Sequence, residues 1–400
     1  MLFRSAKLNF PRIFLPFNTD KIIPKRMIPF TTFSVGFAKQ RNIGLDKQNF
    51  TSAFTYNWTP KKGKTARFDL LNIQFVKNVN ISKYFTIYQS SYNALNNFAI
   101  NNTFTNPNYL QDNQLIIESG TNGFINDVLN NTIPTSNNEL KQVRSIEERR
   151  KRLTENNLIF ATSFSYNVTT QKDLFDNGFH SFKTKIESAG NLLSILARAS
   201  KQLQNQNGVN TIFEVEFSQY LKTEFEFIKH FDLKHKQVVA LRSFFGIAIP
   251  YGNSNSVPFS RSYFSGGSND NRGWQPYSLG PGRSGGINDF NEANMKISLN
   301  AEFRFNIFGK LNGGLFTDVG NIWNIFDNVE NEESTFNSLQ SLKDLAIATG
   351  FGLRYDFGLF VLRGDLGIKT YNPAKTENEK WFKEINFSKS VINIGINYPF

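Results

Sequence analysis

The feature that most constrains the fold of this chain is the alternation of apolar and polar residues over long segments. In "NFTSAFTYNW", "LIFATSFSYNV", "KISLNAEFRFNIF" and "VINIGINYPF", every second position is aromatic or aliphatic, and most positions between them are polar. Successive side chains of a β-strand point to opposite faces, so each segment would form a strand with one apolar and one polar face.

The alternation extends along most of the chain and predicts about 13 strands. An amphipathic sheet on a soluble core is the competing interpretation. The segments 158–171 and 212–229 are long for soluble strands, and few helices are available to cover so many apolar faces. The predicted strands lie near residues 5–17, 31–42, 48–60, 66–79, 158–171, 179–197, 212–230, 237–251, 294–308, 311–323, 344–357, 359–371 and 390–400.

Composition favours strands that cross a membrane. The chain has 42 Phe, 13 Tyr and 4 Trp, yet it contains no apolar run long enough for a transmembrane helix. A transmembrane β-barrel shows lipid only every second residue, so it needs many aromatic and polar residues and no long apolar run. The sequence therefore predicts an all-β, antiparallel transmembrane β-barrel over residues 1–400.

The net charge of +12 suggests an acidic partner. Lysine and arginine are scattered along strand patterns and do not cluster in one basic helix, which argues against nucleic acid. Phosphate-bearing lipid head groups fit better. Cysteine is absent, which excludes thiol catalysis, disulfides and cysteine-ligated zinc.

Two long segments interrupt the strand pattern. Residues 80–157 are rich in asparagine and end in the charged run "KQVRSIEERRKRL", which suggests one long extracellular loop with two short helices. Residues 252–293 contain the glycine-rich stretch "FSGGSNDNRGWQPYSLGPGRSGG". Glycine permits tight turns, and Gly266 and Gly267 are the first pair in this stretch.

The sequence carries no convincing sign of an enzyme or a cofactor site. "GRSGG" at 282–286 matches the G-x-S-x-G nucleophile pattern, but no helix follows it. The three histidines, His180, His230 and His235, lack the spacing of metal ligands. We expect no catalytic residue, no metal and no cofactor.

Carboxylates on the polar faces of two consecutive strands are more informative. Glu302 shares its face with Arg304, and Asp318 follows on the next strand with the parity of Asn312 and Gly314. Both carboxylates would face one interior space, and a loop arginine could pair with them, because guanidinium forms two-pronged bonds to carboxylate. Ordinary hydrated lumen residues are an equally good interpretation of the spacing alone.

Glycines at 313, 314 and 320 would leave room for another segment of chain to approach these strands closely.

These segments together resemble the BamA/TamA superfamily of outer-membrane assembly proteins (the bacterial surface antigen family). "FSGGSNDNRGW" is similar to the family's lumen-folded sixth loop with its Arg-Gly-aromatic tripeptide, here Arg272, Gly273 and Trp274. "NAEFRFNIFGKLNGGLFTDVGNIW", "GFGLRYDFGLFVLRGDLGIK" and "NIGINYPF" resemble its closing strands, with TamA-like variants most similar.

The resemblance implies a barrel of the 16-stranded type, preceded by periplasmic POTRA domains. The 13 strands would be strands four to sixteen, with "KLNFPRIFLPF" as the fourth, so the chain is expected to be N-terminally incomplete. The start of the sequence lacks the apolar core and cleavage site of a signal peptide, which fits that expectation.

The resemblance further implies that residues 252–293 fold into the lumen as a loop and that Arg272 is tied to Glu302 and Asp318. We call this arrangement, a guanidinium held between two lumen carboxylates, the lumen arginine lock. Tyr398 and Phe400 would belong to a C-terminal insertion signal and point outward together with Ile394 and Ile396.

The implied function is insertion or translocation of client outer-membrane proteins without ATP, in the bacterial outer membrane. A periplasmic partner would bind through the missing POTRA domains. The alternative is a passive secretion pore of the two-partner type, which exports one partner protein.

Overall fold

Thirteen strands form one antiparallel sheet in the computed structural model, which describes residues 2–40, 46–173, 176–198, 209–212, 215–285, 291–329 and 331–400. In chain order the strands are β1 (Leu2–Phe10), β2 (Phe30–Gln40), β3 (Asp46–Lys61), β4 (Lys64–Val79), β5 (Leu110–Gln111), β6 (Gln114–Leu115), β7 (Asn157–Thr169), β8 (His180–Ala189), β9 (Thr211–Ile212), β10 (Val215–Glu216), β11 (Tyr220–Lys234), β12 (Gln237–Pro250), β13 (Met295–Phe308), β14 (Leu311–Trp323), β15 (Ala346–Asp356), β16 (Val361–Tyr371) and β17 (Val391–Ile396).

Each strand of the large sheet pairs with its neighbours in sequence, in the order β1-β2-β3-β4-β7-β8-β11-β12-β13-β14-β15-β16-β17. The two-stranded pairs β5-β6 and β9-β10 are separate. The predicted all-β antiparallel architecture and its count of 13 strands are confirmed. In the described residues, β1 and β17 stand at the two ends of the order and do not pair with each other.

The two faces of the sheet have opposite polarity. On β13, the side chains of Ser298, Asn300 and Glu302 are buried, whereas Leu299 between them is exposed. Asp318 on β14 pairs in register with Asn300 and shares its face, which we call the inner face. Polar residues inside and exposed apolar residues outside are the reverse of a soluble sandwich and typical of a membrane-embedded barrel wall.

The connections differ in length between the two ends of the sheet. Residues 62–63, 235–236 and 309–310 make tight turns at one end, which also carries the longer connection 11–29, whereas residues 80–156, 190–219 and 251–294 form connections at the other. We call the second end the long-loop end. Short turns on one side and long loops on the other are usual in outer-membrane barrels, where the long loops are extracellular.

Residues 80–156 form a folded helical unit with four α-helices, where two short helices were predicted. The extracellular position of this long connection stays a prediction. The unit contains α1 (Tyr84–Ile87), α2 (Gln89–Asn101), α3 (Ser119–Leu129) and α4 (Asn137–Thr154). Leu95, Phe124, Val128 and Val143 are among the side chains of its own apolar core. We call this unit the helical insertion.

The charged run at the end of the helical insertion is α4. Ser136 caps it: its hydroxyl accepts a hydrogen bond from the Glu139 N–H, while the Glu139 carboxylate accepts one from the Ser136 N–H. Val143, Ile146 and Leu153 of this helix are buried at helical spacing among charged residues.

The strand predicted at 179–197 is also too long. β8 ends at Ala189, and Gly190 adopts a left-handed conformation with φ of 79° that ends the extended segment. The helix α5 (Asn191–Arg198) follows directly. The strand predicted at 212–230 starts later, at Tyr220. Residues 41–42, 213–214 and 286–290 of the predicted strands and loop lie outside the described residues.

Short 3-10 helices lie in the connections, at Lys25–Met27, Ile81–Lys83, Pro107–Tyr109, Phe259–Arg261, Leu339–Asp344 and Phe387–Lys389. Of the helices in the described ranges, none combines the length and apolarity needed to cross a membrane.

Candidate functional site: an arginine between strand carboxylates

The glycine-rich segment after β12 returns onto the inner face of the sheet. Gly266 and Gly267 have φ of 98° and 102°, a region that L-residues rarely adopt. The Gly267 N–H donates to the carbonyl oxygen of Trp274 at 2.8 Å, and the Asp270 carboxylate accepts from the Gly266 N–H at 2.8 Å. These bonds fold the segment into a compact turn that contains Arg272.

Arg272 is held by two carboxylates from consecutive strands. Its Nε and Nη2 donate to Oδ2 and Oδ1 of Asp318 at 2.8 and 2.9 Å, and its Nη1 donates to Oε2 of Glu302 at 2.6 Å. The arginine is only 1% exposed. The structure therefore brings together the three residues that the resemblance implied, and the role of this contact as a lock stays a prediction.

Burial acts to lower the pKa of the Arg272 guanidinium, because it disfavours the charged form. The charge of Asp318, its hydrogen bonds and the charge of Glu302 outweigh burial, so the pKa is raised above its ordinary value. Arg272 is thus a permanent cation.

The backbone of the tripeptide is fixed as well. The Arg272 N–H donates to Oδ2 of Asp318 at 3.0 Å, and Nδ2 of Asn393 on β17 donates to the Arg272 carbonyl oxygen at 2.9 Å. The Phe316 ring centroid lies 3.4 Å from Cζ of Arg272, a cation–π contact. Trp274 is buried beside Ala346 and Ala348.

Four further charged residues surround the lock. None of them was predicted from the sequence to belong to it. Nη2 of Arg354 lies 3.1 Å from Oε1 of Glu302 and 2.9 Å from Oδ1 of Asp365. Asp365 also lies 3.4 Å from Nη1 of Arg272. The remaining two residues are Arg304 and Arg363. Nε of Arg304 lies 2.9 Å from Oε1 of Glu302, and Nε of Arg363 lies 3.5 Å from Oδ2 of Asp365.

A parity argument could have found these residues. Arg363 and Asp365 alternate on β16 as Glu302 and Arg304 do on β13, in the stretch "VLRGDLGIK". Arg354 on β15 pairs in register with Arg363 on β16, so the two side chains share a face.

Glycines make room for this network, but the space at the predicted glycines is occupied by neighbouring strands and not by the loop. A β-carbon at Gly314 would lie 2.7 Å from Cζ of Arg354, and one at Gly320 would lie 2.8 Å from the Ile297 carbonyl oxygen. Gly313 likewise faces Phe305. The space at 313, 314 and 320 is therefore filled by neighbouring strands. The loop itself approaches Gly367, where a β-carbon would collide with the Arg272 carbonyl oxygen.

The C-terminal residues correct a second prediction. Ile394 and Ile396 are exposed on the outer face, as predicted. Asn397 has φ of 65°, which breaks the alternation, and the next residues turn inward. Cζ of Arg304 lies 4.3 Å from the Tyr398 ring centroid and 5.5 Å from that of Phe400. The prediction that Tyr398 and Phe400 point outward is wrong; their part in an insertion signal stays a prediction.

The "GRSGG" pattern forms a local turn where it is described. The Ser284 hydroxyl donates to the Pro281 carbonyl oxygen at 2.7 Å, and Gly286 lies outside the described residues. A search of the described ranges found no group of three or more His, Asp or Glu side chains arranged for a metal.

Comparison with known proteins identifies the fold and family. A family model described as the Omp85 superfamily domain matches residues 32–396. No curated protein matches the sequence. The crystal structure of BamA from Haemophilus ducreyi lacking POTRA domains 1–3 superposes with a TM-score of 0.55 at 12% identity, covering 98% of this chain and 61% of that chain. CdiB from Acinetobacter baumannii gives a TM-score of 0.41 at 9% identity, covering 92% and 47%.

This chain thus spans about three fifths of the BamA chain that it matches. The family model covers most of the sequence, and the BamA structure has the same strand-rich fold. The chain belongs to the Omp85 superfamily and is a β-barrel protein of the bacterial outer membrane.

Proposed function

We propose that this chain is the membrane domain of a factor that inserts or exports β-barrel or autotransporter-like client proteins without ATP. The observation that carries the proposal is the edge of β17. This strand pairs with β16 through residues 391–396. In the full barrel its second edge would meet the first strand, and opening of that seam would expose the backbone N–H and C=O groups of β17.

An edge that such an open seam exposes can accept a strand from another protein. Soluble proteins protect such edges with lysine, proline or bulges, because free N–H and C=O groups recruit other strands. The outward residues of β17 are Ile392, Ile394 and Ile396, and all three are exposed. A client β-strand could add its backbone hydrogen bonds at this edge while both outer faces remain in lipid.

The lumen arginine lock connects the loop to this edge. Arg272 is bonded to β13 and β14 through its side chain, and Asn393 of β17 donates to its carbonyl oxygen. Loss of the lock would therefore release a contact that positions β17. We infer that the lock supports the edge and performs no chemistry, and that the protein is not an enzyme.

The test is site-specific photo-crosslinking in cells that produce the full protein. A crosslinker at Ile394 should capture newly made outer-membrane proteins. Leu353 on β15 is the matched control, because it is also outward and 52% exposed but lies on a strand paired on both sides. Equal client capture at Ile394 and Leu353 would refute the proposed use of the edge.

The alternative is a secretion pore that exports one partner protein. Depletion of the full protein distinguishes the two functions. Loss of many outer-membrane proteins supports assembly, whereas loss of one exported protein with normal membrane composition supports secretion. We further propose that lipopolysaccharide surrounds the barrel and that a periplasmic partner binds POTRA domains encoded upstream; co-purification from a tagged full protein would test both.

A further inference from the structure

The helix α5 has two apolar faces, and the described part of the chain covers only one of them. Leu193 and Ala197 are buried against Phe217. Leu192 and Ile195 are exposed on the opposite side, together with Leu196. A helix in a hydrated loop would carry polar residues on its free side, so this distribution requires an apolar surrounding.

The covered side of α5 rests on the outer face of the sheet. Leu158 and Phe160 of β7 pack against the Leu193 cluster. Side chains alternate between the two faces of a strand, so Leu158 and Phe160 lie on the face opposite to Ile159, which is buried on the inner side. They share the outer face with Phe164, which is exposed. The helix therefore packs on the lipid-facing side of the wall.

The position of α5 along the barrel axis is also fixed. It begins one residue after Gly190, whose N–H donates to the Phe160 carbonyl oxygen at 2.9 Å. The Ser194 N–H in turn donates to the Gly190 carbonyl oxygen at 2.8 Å. The helix thus lies at the rim where β7 begins and β8 ends, at the long-loop end.

We propose that α5 is an interfacial helix, with Leu192, Ile195 and Leu196 inserted among the lipid acyl chains at the barrel rim. The occupant is lipid because this apolar surface continues the lipid-facing wall: Ile186 on β8 is exposed on the outer face five residues before α5 begins. Amphipathic helices bind such interfaces with their apolar residues below the head groups. The inference holds for either proposed function.

The test uses the absence of native cysteine, since single cysteines can be labelled without background. The full chain is folded into phosphatidylcholine vesicles, with the environment-sensitive dye NBD attached at Ile195→Cys. Ile186→Cys is the lipid-facing reference, and Ser278→Cys, exposed in a long-loop connection, is the aqueous reference. Heat-modifiable gel migration verifies that each labelled protein has folded.

The Ile195 label should match the Ile186 label: a blue-shifted emission, quenching by spin-labelled acyl chains and protection from aqueous iodide. If Ile195 behaves like Ser278, the helix is in water and the proposal is overturned. Protection from both quenchers would show a protein partner, such as a second copy, and would overturn it equally. Leu192→Cys repeats the measurement if labelling at position 195 prevents folding.

Discussion

The guanidinium of Arg272 and the carboxylate of Asp318 form a bidentate ion pair, with Nε to Oδ2 at 2.8 Å and Nη2 to Oδ1 at 2.9 Å. Asp318 is on a rigid strand, and Arg272 is on a glycine-rich loop. Both side chains are buried. Removing one partner of a buried ion pair is costly, because the other charge is then left buried without compensation.

Arg272→Ala should destabilise the folded barrel by about 3–5 kcal/mol, the usual cost of removing one member of a buried pair. Asp318 and Glu302 would be left with less compensating charge, although Arg304 and Arg354 remain near Glu302. Urea unfolding of the chain in vesicles measures the effect, and the yield of assembled protein in cells should fall in parallel.

Arg272→Lys should restore little of this loss. An ammonium group is a compact charge that cannot place two parallel donors on Asp318 and a third on Glu302. Ser284→Ala is the control within the same loop, since it removes only a local bond to Pro281. A loss for Ser284→Ala as large as that for Arg272→Ala would contradict a specific role of the arginine.

Gly367→Ala should prevent the loop from seating, because the added methyl group would collide with the Arg272 carbonyl oxygen. Overpacking of this kind costs about 1–3 kcal/mol. Gly364→Ala is the matched control on the same strand, with no heavy atom within 4 Å of the added carbon. Limited proteolysis should cleave the loop faster in Gly367→Ala alone. Equal cleavage rates in the two variants would argue against this contact.

The strands could be predicted from sequence because their signal is local. Apolar and polar residues alternate visibly within a single segment such as β13. This alternation alone predicted that Glu302 and Asp318 lie on the same face of the sheet, as they do. The need for glycine at position 367 could not be predicted from the sequence. It arises from close contact with the carbonyl oxygen of Arg272, 95 positions earlier in the chain, and only the tertiary fold creates that contact.

The errors have physical causes as well. Part of the core of the helical insertion comes from single apolar residues among polar and charged ones, such as Val143 in the charged helix α4. Low overall hydrophobicity concealed their helical spacing. At the C-terminus, alternation continues through Phe400 in the sequence, but the left-handed Asn397 reverses the direction of the side chains that follow.

Ile394→Arg should destabilise the barrel by about 2–4 kcal/mol if position 394 lies near the bilayer midplane, because a charged side chain would enter the acyl chains. Ile394 is 76% exposed on the outer face. Ile385→Arg is the control, since Ile385 is exposed in the connection between β16 and β17. Guanidinium unfolding from vesicles compares the two, and equal midpoints would place Ile394 outside the lipid.

Asp327 should make stability depend on pH. It lies in the connection after β14, and burial raises its pKa from 3.8 to about 6, with the nearby Glu292 acting in the same direction and Arg152 opposing it. A carboxyl group whose folded pKa is raised binds its proton more tightly in the folded state. Its contribution to stability is complete below about pH 4 and is lost as the pH rises through about 6.

Asp327→Asn removes this titration while keeping the side-chain oxygen that accepts the Val329 N–H. The variant should match the wild type at the acidic end of the window and exceed it above pH 6, by on the order of 2 kcal/mol. Asp176→Asn should instead be less stable than the wild type by a nearly constant amount across this range, because hydrogen bonds from the Lys172 and Gly178 N–H groups lower the pKa of Asp176, and the resulting stabilisation is lost only below about pH 4. Urea midpoints measured from pH 4 to 7.5 provide the comparison. A difference between Asp327→Asn and wild type that does not change with pH would show that the Asp327 carboxyl group does not titrate in this range.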